Sequence, residues 1–267
     1  MVAFRGINLR SGDLAEQLGL FLLQSIALVT PVPRTEDVGV DAVVALLHKY
    51  DPRRLIASKS FFVQLKSSSV DQIKFSKEQL SWLFGLELPF FIGSIDKKKN
   101  FIKLYCCHRL IDAFISRPDR DGVVIHLSTE ENQDEFVPYD CIDICVGPPV
   151  IEFDITQVCD DRLVETICTV CSFHIDLYRE GLEHRRVGTS PYVVWRTNEL
   201  PKRVGWKSMF SSPAADQIEP IADLAMPYFI RLLDACMFAK RPEWLYELKK
   251  LVDGRLAIVE KLIKNRV

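Results

Sequence analysis

Three side chains near the start of the chain have types and a spacing that could hold a divalent cation beside a phosphate: Asp41, Gln64 and Lys66. A carboxylate and an amide oxygen are hard donors of the kind that Mg²⁺ or Mn²⁺ takes. An ammonium nearby could orient a water or offset the negative charge that builds up when a phosphodiester is hydrolysed. Gln64 and Lys66 are two residues apart, so on a β-strand they share a face.

The elements that must position these groups can be read from patterning. In residues 61–66 (FFVQLK), Phe61, Val63 and Leu65 point one way, and Phe62, Gln64 and Lys66 the other. Residues 40–47 (VDAVVALL) are apolar apart from Asp41, as expected of a strand buried on both faces. The polar turn 48–54 between the two runs predicts an antiparallel pair. That pairing brings Asp41 beside the Gln64/Lys66 face. Upstream, Ser11 or Asp13 can cap a helix over 14–26, with Glu16 in its first turns, where the helix dipole favours a carboxylate. A strand at 27–30 follows and ends at Pro31 and Pro33. Downstream of the Ser-rich turn 67–69, a helix is predicted over 75–84, opened by the capping-box pair Ser76 and Gln79. Strands at 89–95 and 101–106 are joined by the charged hairpin turn 96–100.

This order of elements, with the pattern GxD…QxKSS…PFFIG…D…IKLY over about residues 10–110, resembles the PD-(D/E)XK (restriction-endonuclease-like) nuclease superfamily. It is most similar to the D…QxK branch, in which Gln replaces the second acid, and to an uncharacterised bacterial domain family within it. The resemblance implies an α/β fold, a restriction-endonuclease-like α-β-β-β-α-β core. It implies a metal-dependent DNA endonuclease, in bacterial defence against foreign DNA, with Mg²⁺ or Mn²⁺ as cofactor and a homodimer as a reasonable assembly. By the same resemblance, the Leu65 backbone carbonyl and Glu16 join Asp41 and Gln64 as metal ligands, and Lys66 orients the attacking water or neutralises the phosphorane. The alternative is a nuclease-like module that binds nucleic acid or protein without cutting.

Composition sets wide bounds. The chain has 267 residues, 48% apolar and 26% charged, with a formal net charge of −2. That is ordinary globular composition, and no global positive field advertises nucleic-acid binding. The apolar run 18–29 is too short to span a bilayer, and a soluble, cytoplasmic protein is expected. Three parts are expected: the nuclease-like domain over 1–115, a connecting segment with short strands over 116–155, and a mainly helical C-terminal domain over 156–267, the candidate surface for a partner protein. Cys168 and Cys171 form a CxxC, with Cys141 and Cys145 upstream, so zinc is a competing ligand. The competing expectation is a helix over 160–179 whose apolar stripe includes both thiols. Lys202, Arg203, Trp206 and Lys207 lie in a segment expected to be a loop, where cations and an aromatic could meet nucleic acid or simply anchor the surface.

Overall fold

The computed structural model describes residues 7–33, 39–51, 53–117, 119–130, 137, 141–208, 218–238, 243–246, 249–250 and 253. The chain divides into two compact units, residues 1–211 and 212–267.

The first unit is mixed α/β. Helix α1 (Ile7–Gln24) turns directly into β1 (Ala27–Pro31), followed by the long pair β2 (Ala42–Asp51) and β3 (Arg54–Ser67). Then come β4 (Gln72–Ser76), α2 (Lys77–Gly85), β5 (Phe90–Asp96) and β6 (Phe101–Cys106). A short helix α3 (Arg109–Ser116) precedes β7 (Gly122–His126), β8 (Asp143–Cys145) and β9 (Ile151–Asp154). The unit closes with α4 (Asp161–His184), β10 (Thr189–Val194) and β11 (Lys202–Ser208). Six strands form the main sheet in the order β1-β2-β3-β5-β6-β9; β4, β7 and β8 form a second sheet, and β10 and β11 a hairpin. β3 and β5 are parallel, so they need a crossover, which β4 and α2 supply. The other neighbours in the main sheet are antiparallel.

Strand alternation decides what covers each face. Ala42, Val44 and Leu46 with Phe61, Val63 and Leu65 form one buried face. α1 approaches it closely at Gly19, where a Cβ would lie 2.9 Å from a Leu65 methyl. Further along, Lys59, in the same row as Phe61, pairs with Asp176 of α4. On the opposite face, Phe75 and Trp82 meet Phe90 edge-on, each at 6.3 Å between ring centroids. These contacts seat β4 and α2 over Phe62 and Phe90.

The antiparallel pairing of the two long strands, the hairpin between β5 and β6 and the long helix α4 agree with expectation. The capping pair also forms, Gln79 Oε1 accepting from the Ser76 N–H at 2.9 Å, but residues 72–76 are strand and the helix starts at Lys77. Helix α3 was not anticipated. Residues 202–208 are β11 rather than a loop. The reason is packing at their end: Lys207 is buried, its ammonium bonded to the wholly buried Asp112 of α3, whose other oxygen accepts from the Ser190 hydroxyl. Among the described residues, no helix is long and apolar enough to cross a membrane. In the second unit, α5 (Ile218–Phe238) carries Pro227 within it, which removes one backbone hydrogen bond. The last stretch of the part expected to be mainly helical, 254–267, lies outside the described residues.

Two predictions concern this core. Lys207→Met removes the cation from a buried carboxylate and should lower the unfolding free energy by about 3–5 kcal/mol, read from a urea titration. Asp112→Asn added to Lys207→Met should restore most of that loss; a double variant as unstable as the single would show that the ion pair does not hold α3 to β11. The second follows from His174, buried on α4 and facing Trp195 and His108, its pKa pushed down to about 3 by burial and then by His108. The folded state keeps this ring neutral while the unfolded chain protonates it. Stability should therefore be full above pH 6.5 and fall by up to about 1.4 kcal/mol per pH unit as pH drops from there toward 3. His174→Gln should flatten that slope in melts taken across the range.

Candidate functional site

The site begins with a mismatch of strand ends. Ala42 opens β2 opposite Val63, but β3 continues to Ser67. The Asp41 N–H donates to the Val63 carbonyl at 2.9 Å, and its own carbonyl accepts from Val32 N–H at 2.9 Å. Asp41 is thus held between the end of β1 and the middle of β3. The chain enters it through Gly39, whose φ of 86° suits a residue without a Cβ. One carboxylate oxygen of Asp41 accepts the Leu65 N–H at 2.5 Å. In a strand, the N–H and C=O of one residue leave the same edge. The Leu65 carbonyl therefore leaves β3 on the edge that Asp41 occupies, beyond the start of β2.

Continuing the β2–β3 register by one residue places Asp41 opposite Gln64, and paired residues share a face. Gln64 is only 9% exposed, and its Oε1 is buried with no hydrogen-bond partner among the described residues. An unmet buried acceptor costs about 1–3 kcal/mol. Lys66 follows on the same face, half-buried. The register thus brings Asp41, Gln64, Leu65 and Lys66 to one end of the β2–β3 pair. Glu16 comes from a different element. It is half-buried on α1, one turn before Gly19, and α1 rests on the Leu65 side of the sheet. Glu16 and Gln64 therefore approach from opposite faces. The donors at the strand ends are a carboxylate, an amide oxygen left unmatched by the protein and a backbone carbonyl. An all-oxygen set of this kind fits Mg²⁺ or Mn²⁺.

The other candidates are used elsewhere. Cys168 and Cys171 are buried in α4, and burial raises both thiol pKa values. Cys145 lies in β8 and Cys141 just before it, in the second sheet, and no three His, Cys, Asp or Glu groups cluster among the described residues. Arg203 pairs with Glu180 and sits 5.3 Å over the Trp206 ring. Arg185 sits over Phe84 at 4.5 Å and donates to its carbonyl at 2.9 Å. With Lys207 committed to Asp112, this segment supplies folding contacts.

A cleft of about 430 Å³ was not anticipated. It lies on the Gln64/Lys66 side of the sheet, and Ser94, Asp96, Lys99, Phe101, Lys103 and Tyr105 are among its walls. The available signal was the alternation of Phe101, Lys103 and Tyr105 along β6, which puts all three on one face.

The unmatched Gln64 oxygen generates a stability test. Gln64→Leu replaces a buried, unsatisfied amide with an apolar group of similar size. In chelator it should stabilise the fold by about 1 kcal/mol, seen as a higher melting temperature. A lower one would mean that the amide is satisfied in solution.

No family model, curated protein or solved structure matches the chain, so its function rests on this geometry.

Proposed function

We propose that this chain is a metal-dependent DNA endonuclease of the PD-(D/E)XK kind. The observation that carries the reading is the buried Gln64 Oε1, without a partner among the described residues, opposite Asp41 in the continued register. A protein that gains only stability from this position would place an apolar side chain there. Further support comes from the order of elements: a helix, three strands, a crossover containing a helix, and a strand parallel to the third. That is the order the resemblance implies, with β4 added inside the crossover.

Asp41, Gln64 and the Leu65 carbonyl would hold Mg²⁺ or Mn²⁺, and Glu16 would join them only by reaching round the open strand end from the other face of the sheet. Such an ion, when bound, supplies an acidified water and offsets charge on the phosphate. Lys66, on the face of Gln64, donates to the attacking water or to a phosphate oxygen and stabilises the charge that develops there. Gln64 contributes an oxygen but no charge, so the site depends on Asp41 and Glu16 for its negative potential. Cutting of both strands fits two copies of the chain, and defence against foreign DNA is the matching biological role.

A second reading, a nuclease-like module that binds without cutting, is favoured by one observation. The Asp41 carboxylate already serves the fold, accepting the Leu65 N–H at the open edge of β3.

Plasmid and linear DNA incubated with Mg²⁺ or Mn²⁺ separate the two. The wild type should cut, EDTA should stop it, and Asp41→Ala and Lys66→Ala should each slow it by at least about 100-fold. Cutting that survives both substitutions places the chemistry elsewhere. No cutting of any substrate, with binding retained, favours the module.

A further inference from the structure

The main sheet carries a row of polar side chains that crosses four strands. Lys66 of β3 is in register with Ser94 of β5, Ser94 with Lys103 of β6, and Lys103 with Glu152 of β9. Registered neighbours share a face, so the row lies on the side of Gln64. Strands are about 4.8 Å apart, which sets the Lys66 and Lys103 backbones about 10 Å apart. Ser94, between them, is 8% exposed, and its hydroxyl takes part in no hydrogen bond among the described residues. It lines the cleft of about 430 Å³, whose size is within the range of small-ligand sites, about 300–1,000 Å³. Phe101 and Tyr105 flank Lys103 along β6 on the same face.

We infer that this cleft receives one unpaired nucleotide adjacent to the scissile phosphate, so that the substrate is a single strand or a frayed end. The inference rests on the nuclease reading of Asp41, Gln64 and Lys66. Lys66 meets the scissile phosphate and Lys103 the next one. Ser94 donates between them, and the base lies against Phe101, the part-exposed ring of the two. An aromatic ring beside cations is the chemistry that holds single strands without regard to sequence. The carboxylates of the cleft do not cancel the row. Asp96 accepts the N–H groups of Lys98 and Lys99 at 3.0 and 3.3 Å. Glu152 stands 3.9 Å from the Lys103 ammonium, longer than a charge-assisted hydrogen bond of about 2.7–2.9 Å, so a phosphate can replace it. Asp71 also lines the cleft, and a base amino group, not a phosphate, would meet it.

Fluorescence polarisation with a labelled 12-nucleotide strand and its blunt duplex tests this, with Ca²⁺ in place of Mg²⁺ to prevent cutting. The wild type should bind the single strand at least about ten-fold more tightly than the duplex. Lys103→Ala should weaken single-strand binding about five-fold and make the salt slope shallower by about 0.7, the value of one phosphate contact on a single strand. Ser94→Phe, which fills the cleft, should abolish the preference for the single strand. Because Ser94 is buried, thermal melts accompany that variant, and the part-exposed Lys103 gives an independent arm should it fail to fold. Unchanged affinity and slope in Lys103→Ala, with plasmid cutting that still requires Asp41, overturn the cleft assignment alone. A wild type that neither binds an oligonucleotide nor cuts DNA overturns the nuclease reading, and this inference with it.

Discussion

β2 and β3 are paired along most of their length but do not end together. Val63 has a β2 partner, whereas Leu65 and Ser67 run past the start of that strand. A strand edge left open inside a folded unit is a cost, because its N–H groups lose water without gaining a carbonyl. The Asp41 carboxylate takes the Leu65 N–H and closes that edge. Other parts of the site depend on the same closure. It fixes where Asp41 lies, turns the Leu65 carbonyl to the same edge, and sets Gln64 opposite a carboxylate rather than a backbone. α1 can then lie flat against Leu65, since Gly19 offers no Cβ to that contact.

Much of this was legible before any coordinates. The alternation in FFVQLK fixes which residues share a face, because the strand period is two. A polar turn between two apolar runs predicts the hairpin. Together these place Gln64 and Lys66 near Asp41, as the register does. What could not be read is the part that depends on the third dimension. Nothing in the residue types says that Gln64 Oε1 is buried without a partner among the described residues. The Leu65 carbonyl was named only through a family resemblance, whereas the geometry supplies a physical reason for its direction.

The misread segments have a common cause. Lys202, Arg203, Trp206 and Lys207 look like a surface loop because cations and prolines dominate the local pattern. Burial of Lys207 beside Asp112 overrides that pattern, and no window around residue 207 contains its partner. α3 was missed for a related reason: it is short, and its polar stripe of Arg109, Asp112 and Ser116 is buried rather than turned to water. The CxxC is the opposite case. Its spacing of three residues matches a helix turn as well as a zinc knuckle, and here both thiols serve as core side chains of α4.

The clamp on Asp112 also bears on how the chain comes into being. Ser190 follows Asp112 by 78 residues and Lys207 by 95. During synthesis, the α3 carboxylate leaves the ribosome long before either partner exists, and it must stay hydrated until both arrive. The helix that covers the Phe61 face likewise emerges about a hundred residues after the strands it packs on. The strands bearing Asp41, Gln64 and Lys66 are therefore made early but sealed late. Translation order, and not only equilibrium stability, governs when this molecule becomes whole.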